Sequence, residues 1–215
     1  MLSQMPKLRE FSINAMHRPL KTLLHSPEAQ GHIVALRLEN VTVEDDSGSL
    51  CNLVISLPGL QCLNVSVDGV PPDPFFDTLG GISSQLVELS LSFDQFTIWF
   101  LSRALDFARV LFFPMPCLRS LTLDTLVLHP GTLQTLRESG YMPSLNFLSL
   151  AVFNSGTPWD DARALVESGR WVNIRTIVIQ TGGEAREGAS PLQWEEILKA
   201  CAAKGVELRH SNVDY

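Results

Sequence analysis

Seven copies of one short apolar template run along this chain, and no other feature restricts its fold as strongly. An apolar residue is followed by two variable positions, a second apolar, one variable position and a third apolar. The template fits Leu8-Phe11-Ile13, Ile33-Leu36-Leu38, Leu60-Leu63-Val65, Leu86-Leu89-Leu91, Leu118-Leu121-Leu123, Leu145-Leu148-Leu150 and Ile174-Ile177-Ile179. Successive copies start 25, 27, 26, 32, 27 and 29 residues apart. Self-similarity at such a period marks a repeat architecture, in which each unit buries its apolar side only against its neighbours. Four copies share an introducer, MPKL, LPGL, MPCL and MPSL, with proline two residues before the first apolar position; WVNI stands there in the seventh.

Alternation at the second and third template positions is the period of a strand, so those side chains share one face and the intervening residues take the other. Strands repeated in this way must run parallel, which requires crossovers of about a dozen residues, and the intervals supply helical material for them. The spacing predicts helices over 131–140, with Leu133 and Leu136, and over 159–169, with Ala162, Leu165 and Val166. A third spans 192–204 and places Leu192, Ile197, Leu198 and Cys201 on one face, with Gly205 as its left-handed C-terminal stop and Val206-Glu207-Leu208 as a closing strand. The 32-residue interval holds a longer crossover helix over 96–113, where Trp99, Phe100, Phe112 and Phe113 exceed one buried stripe and leave a partner surface open as an alternative. Residues 182–190, GGEAREGAS, read as a surface loop. Leucine supplies 33 of 215 residues, an excess that the inward positions of such a repeat absorb.

The repeated MPxLxxLxL form, as in MPCLRSLTL and MPSLNFLSL, resembles the leucine-rich repeats of ribonuclease-inhibitor-like proteins, and in style the irregular repeats of fungal F-box proteins. The resemblance implies an α/β solenoid, an open curved horseshoe with a parallel sheet of about seven to eight strands on its concave side and helices on its convex side. It also implies one domain over residues 1–215 that serves as a noncatalytic protein–protein interaction module, as the substrate-recognition region of an F-box-type ubiquitin ligase receptor does. Two departures stand out. The standard repeat carries Asn or Cys three residues after its last strand apolar, and here those positions hold Met16, Val41, Asp68, Asp94, Leu126, Phe153 and Gly182. No F-box precedes Leu8, so the expectation is the C-terminal part of a longer architecture, or self-association through an uncapped N-terminal end.

Other function classes find little support in the residues. A net charge of −7, with four Lys and twelve Arg scattered along the chain, argues against nucleic acid and membrane surfaces and favours partners with basic segments. The four cysteines have no metal-like spacing or disulfide-scaffold density, which fits a cytoplasmic or nuclear setting. There is no GxGxxG, Walker A, GxSxG or HExxH signature, and the five histidines share no ligand spacing. No catalytic, cofactor-binding or metal-ligating residue is therefore expected. Cys62 falls on an outward strand position without a basic neighbour to activate it.

What remains is the outward face of the strands, three rows deep. The first row holds Glu10, Ala35, Cys62, Glu88, Ser120, Phe147 and Thr176, the second Ser12, Arg37, Asn64, Ser90, Thr122, Ser149 and Val178, and the third Asn14, Glu39, Ser66, Ser92, Asp124, Ala151 and Gln180. From these, Glu10, Arg37, Glu39, Asn64, Glu88, Thr122, Asp124, Phe147, Thr176 and Gln180 form the expected partner-binding set, with Arg37 and Phe147 foremost because hot spots favour Arg and aromatic residues. A free-standing scaffold or inhibitor would use the same face. A small α/β enzyme would instead show a doubly wound sheet with reversed strand order.

Overall fold

The computed structural model describes residues 9–14, 32–42, 47–68, 73–93, 113–126, 141–152, 159–169, 172–181 and 191–212. The expected helix over 131–140, all of 96–113 except Phe113, and the loop 182–190 lie outside them. Eight strands are described: β1 (Glu10–Asn14), β2 (Ala35–Thr42), β3 (Cys62–Asp68), β4 (Glu88–Phe93), β5 (Ser120–Leu126), β6 (Phe147–Val152), β7 (Thr176–Thr181) and β8 (Glu207–Asn212). They form one sheet in the order β1 to β8, every neighbouring pair parallel. The order never reverses.

The helices described are α1 (Ser47–Ile55), α2 (Asp73–Ile82), α3 (Trp159–Glu167) and α4 (Pro191–Lys204), and no helix among the described residues is long and apolar enough to cross a membrane. The second and third template residues of β2 to β7 are buried, and they join one cluster with Leu50, Leu53 and Val54 of α1, Phe75, Phe76 and Leu79 of α2, Leu165 and Val166 of α3, and Ile197 and Cys201 of α4. All four helices thus contribute to the core on the same side of the sheet. The helices over 159–169 and 192–204 lie where the periodicity put them. One detail differs: the buried stripe of α4 centres on Ile197, Ala200 and Cys201, which turns Leu198 to the margin, 40% exposed.

Helix α4 ends as its glycine requires. Gly205 has φ +67°, its N–H donates to Ala202 O at 3.2 Å, and Val206 N–H reaches back to Cys201 O at 2.9 Å. This is the paired bonding of a Schellman stop. The other helices close with serine: Ser56, Ser83 and Ser168 each donate from Oγ to the carbonyl three residues earlier, on Leu53, Gly80 and Leu165. Carbonyls that a helix end leaves without partners are satisfied locally in this way. Across the helix layer, Arg163 of α3 pairs with Glu196 of α4.

The proline introducer is a β-turn. Leu60, Leu118 and Leu145 donate from N–H to the carbonyls of Leu57, Met115 and Met142, at 3.0, 3.1 and 3.2 Å, so proline occupies the second turn position, where its fixed φ suits it. The apolar residues at both ends of each turn are buried. The turns are stitched to one another, since Ser144 Oγ donates to Pro116 O at 2.7 Å and Asn173 Nδ2 to Pro143 O at 2.9 Å. Backbone bonds repeat there too: the carbonyls of Arg9, Val34, Gln61, Val87, Arg119 and Asn146 each accept two N–H groups from the following unit. Val41, Asp68 and Leu126, where the standard repeat places its turn Asn, are strand residues here, so no turn ladder forms at those three positions.

Two adjacent glycines in the last turn of α2 differ in their surroundings. A Cβ on Gly80 would sit 3.1 Å from Phe113 Cε1, whereas one on Gly81 would meet nothing within 4 Å. Gly81→Ala is therefore expected to stabilise the protein by about 0.5–1 kcal/mol through helix propensity. Gly80→Ala should gain less or lose stability, because the partly buried Phe113 ring must shift. Urea midpoints of the two variants make the comparison, and equal gains would contradict the close approach.

Candidate functional site: the open face of the sheet

Period-2 alternation sends one side chain in two away from the core, and the strand register lines these residues into rows. The first row runs Glu10, Ala35, Cys62, Glu88, Ser120, Phe147, Thr176 and Glu207, each on the direct partner of the last. The second runs Ser12, Arg37, Asn64, Ser90, Thr122, Ser149, Val178 and Arg209 in the same manner. Both rows match the sequence expectation and extend it by one strand. None of these residues belongs to the buried core.

The third row is not continuous. Register shifts between Leu38 and Val41 of β2 and between Leu123 and Leu126 of β5 insert one extra residue in each strand. Such a bulge re-aims side chains and interrupts pairing. Glu39 and Asp124 sit in these two bulged stretches, leaving Asn14 with Glu39, Ser66 with Ser92, and Ala151 with Gln180 and Ser211 as separate pieces of the row. A further departure is Ser149, only 4% exposed despite its outward position between the partners Thr122 and Val178.

Glu10, Arg37 and Glu88 are exposed, while Glu39, Asn64, Thr122, Asp124, Phe147, Thr176 and Gln180 are half-buried. The charge is unevenly spread. In these rows strands β1 to β5 carry Glu10, Glu39, Glu88 and Asp124 against Arg37, and among the described residues no ion pair joins them. Strands β6 and β7 present no charge in these rows. On β8 the Arg209 guanidinium donates to both carboxylate oxygens of Glu207, at 2.8 and 2.9 Å, so that pair is internally satisfied.

The acidic field reaches Cys62. Burial first, then the neighbouring carboxylates of Glu88 and Glu10, push its thiol above the ordinary range. That disfavours the thiolate and leaves Cys62 a poor nucleophile. Cys201 in the core is pushed up by burial to about 11. All four cysteines are free. Among the described residues no three His, Cys, Asp or Glu side chains gather as a metal site.

Burial also raises the carboxyl of Asp124. Its native form holds the proton more tightly than the unfolded chain does, so this advantage is full below the ordinary carboxylate pKa of about 3.9 and is lost as pH rises through the raised native value. Asp124→Asn is thus expected to raise the melting temperature at pH 7 relative to wild type and to change it less at pH 3. A loss of stability at pH 7 would show that the carboxylate is favourably partnered.

Sequence reasoning missed Glu207 and Arg209 as members of the rows. In the eighth unit the template positions hold Gly205, Leu208 and His210, so two of three are not apolar. His210 instead lies against Trp194 of α4, with ring centroids 5.0 Å apart. The alternation of Glu207, Leu208, Arg209 and His210 was the available signal. Comparison with known proteins finds no matching family model, no matching curated protein and no matching solved structure.

Proposed function

We propose that this chain is a leucine-rich-repeat solenoid that acts as a noncatalytic protein–protein interaction module in the cytoplasm or nucleus, taking up a protein or peptide partner on the open face of its sheet. One observation carries the reading: eight parallel strands follow chain order, with the buried cluster on one side and two unbroken rows of side chains on the other. Parallel sheets ordinarily have both faces covered. A face that no described element covers, about 34 Å across from seven spacings of about 4.8 Å, is wide enough for an extended segment or a domain surface. The monotonic strand order supports a repeat over a doubly wound enzyme, whose ligand crevice forms where strand order reverses. Reception of substrates for an F-box-type ubiquitin ligase is the role the repeat style suggests.

Site-specific photo-crosslinking in cells tests the reading. Crosslinkers at Asn64 and Thr122 are expected to capture a partner that crosslinkers at Leu198 and Lys199, on the outer side of α4, do not. Capture only from α4 would contradict it. A cullin adaptor co-purifying with the chain would support the ligase role, and its absence beside a captured partner would favour a free-standing scaffold or inhibitor.

A further inference from the structure

We infer that the partner is an extended segment lying across the strands along the first row, with basic side chains over Glu10 and Glu88 and an apolar side chain against Phe147. This rests on the open-face reading and narrows it to one partner chemistry. Along the first row Glu10 and Glu88 are exposed and half-buried Phe147 is the largest apolar side chain, while Ala35, Cys62, Ser120 and Thr176 are short. A backbone can approach closely over the short residues.

Charge complementarity selects the occupant of one half. In the three rows strands β1 to β5 carry four carboxylates against one guanidinium, with no exposed aromatic. The other half selects differently. Phe147 and Val178 are half-buried without charge, and Ser149, on β6 two residues from Phe147 and paired with Val178, is only 4% exposed. An acidic partner would meet repulsion over β1 to β5, and a wholly basic one would leave Phe147 uncovered.

Geometry sets the spacing. Glu10 and Glu88 lie three strands apart, about 14 Å, and Glu88 and Phe147 two strands apart, about 10 Å. At about 3.3 Å per extended residue, with only every second side chain facing the sheet, the apolar side chain falls about two or four residues from the first basic one and the second basic one about four residues further, the long basic stems absorbing the remainder. Either chain direction satisfies this spacing.

A phage-displayed library of random twelve-residue peptides, selected on the full chain, tests the inference, with fluorescence anisotropy of the enriched peptides. Enrichment of an apolar residue followed or preceded by Lys or Arg at these spacings is expected. The Glu10→Gln/Glu88→Gln double variant should weaken binding about fivefold, two exposed charge pairs of about 0.5 kcal/mol each. Phe147→Ala should weaken it about thirtyfold, as loss of an aromatic hot spot does. Glu195→Gln on α4 serves as a charge control and should leave binding unchanged. Enriched peptides that are neutral or acidic, with binding still abolished by Thr122→Lys, would overturn the partner chemistry and leave the open-face reading standing. Binding indifferent to every open-face substitution would overturn both. Failure to enrich any peptide would overturn the inference, and the crosslinking experiment would then judge the open-face reading alone.

Discussion

Leu121→Ala is expected to cost about 2–5 kcal/mol of stability, whereas Thr122→Ala, one residue along the same strand, should cost no more than about 1 kcal/mol. The two side chains leave the backbone of β5 in opposite directions. Leu121 is fully buried, with Leu89 and Leu148 as its cross-strand partners at the same level of the sheet. Truncating it removes transfer free energy and opens a cavity among residues that cannot collapse, because strands on both sides fix their positions. Thr122 is half-buried on the open face, with Ser90 and Ser149 as partners. Chemical denaturation of both variants measures the difference. Equal losses would mean that the second face is covered as well, and the open-face account would fail.

Phe75→Ala should cost about 3–5 kcal/mol, comparable to much of the 5–15 kcal/mol that holds a typical domain together. Phe75 is the largest of the fully buried side chains and meets Phe76 edge to face, with ring centroids 5.9 Å apart. Its helix α2 joins β3 to β4 and packs against α1. In a stack where each strand pairs only with its neighbours in sequence, such damage is felt locally first. Native-state hydrogen exchange should therefore show amides of β3 and β4 losing protection in the variant more than those of β7 and β8. Equal acceleration throughout the sheet would contradict nearest-neighbour stacking.

The legible part of this fold was the part governed by period. Leu89-Ser90-Leu91 and Leu121-Thr122-Leu123 state strand, facing and register at once, because a slip of one residue would expose every leucine. From that register the first two rows of the open face followed, down to the neighbours Glu10, Ala35, Cys62 and Glu88. Gly205 was legible for a different reason, since a glycine after an amphipathic run has few other uses. The bulges at Glu39 and Asp124 were not legible, because one extra residue between Leu38 and Val41 leaves the apolar pattern of neighbouring copies intact. Nor was the stitching of the turns by Ser144 and Asn173, whose partners are main-chain carbonyls roughly one repeat earlier in the chain. The eighth strand was only half visible: its third template position is taken by exposed His210, against Trp194, where the earlier copies carry an aliphatic residue.

The central claim is that the strands are stacked in chain order and leave one face open. Spin labels introduced through a non-natural amino acid at open-face positions of the second row test it directly, by pulsed dipolar spectroscopy on the intact chain. From a fixed label at Ser12, distances to labels at Thr122, Val178 and Arg209 should rise in that order, over four, six and seven strand spacings of about 4.8 Å, and each doubly labelled protein should give one distance. A label at Arg209 lying nearer to Ser12 than one at Val178 does would mean a closed or reordered sheet, and would contradict the account.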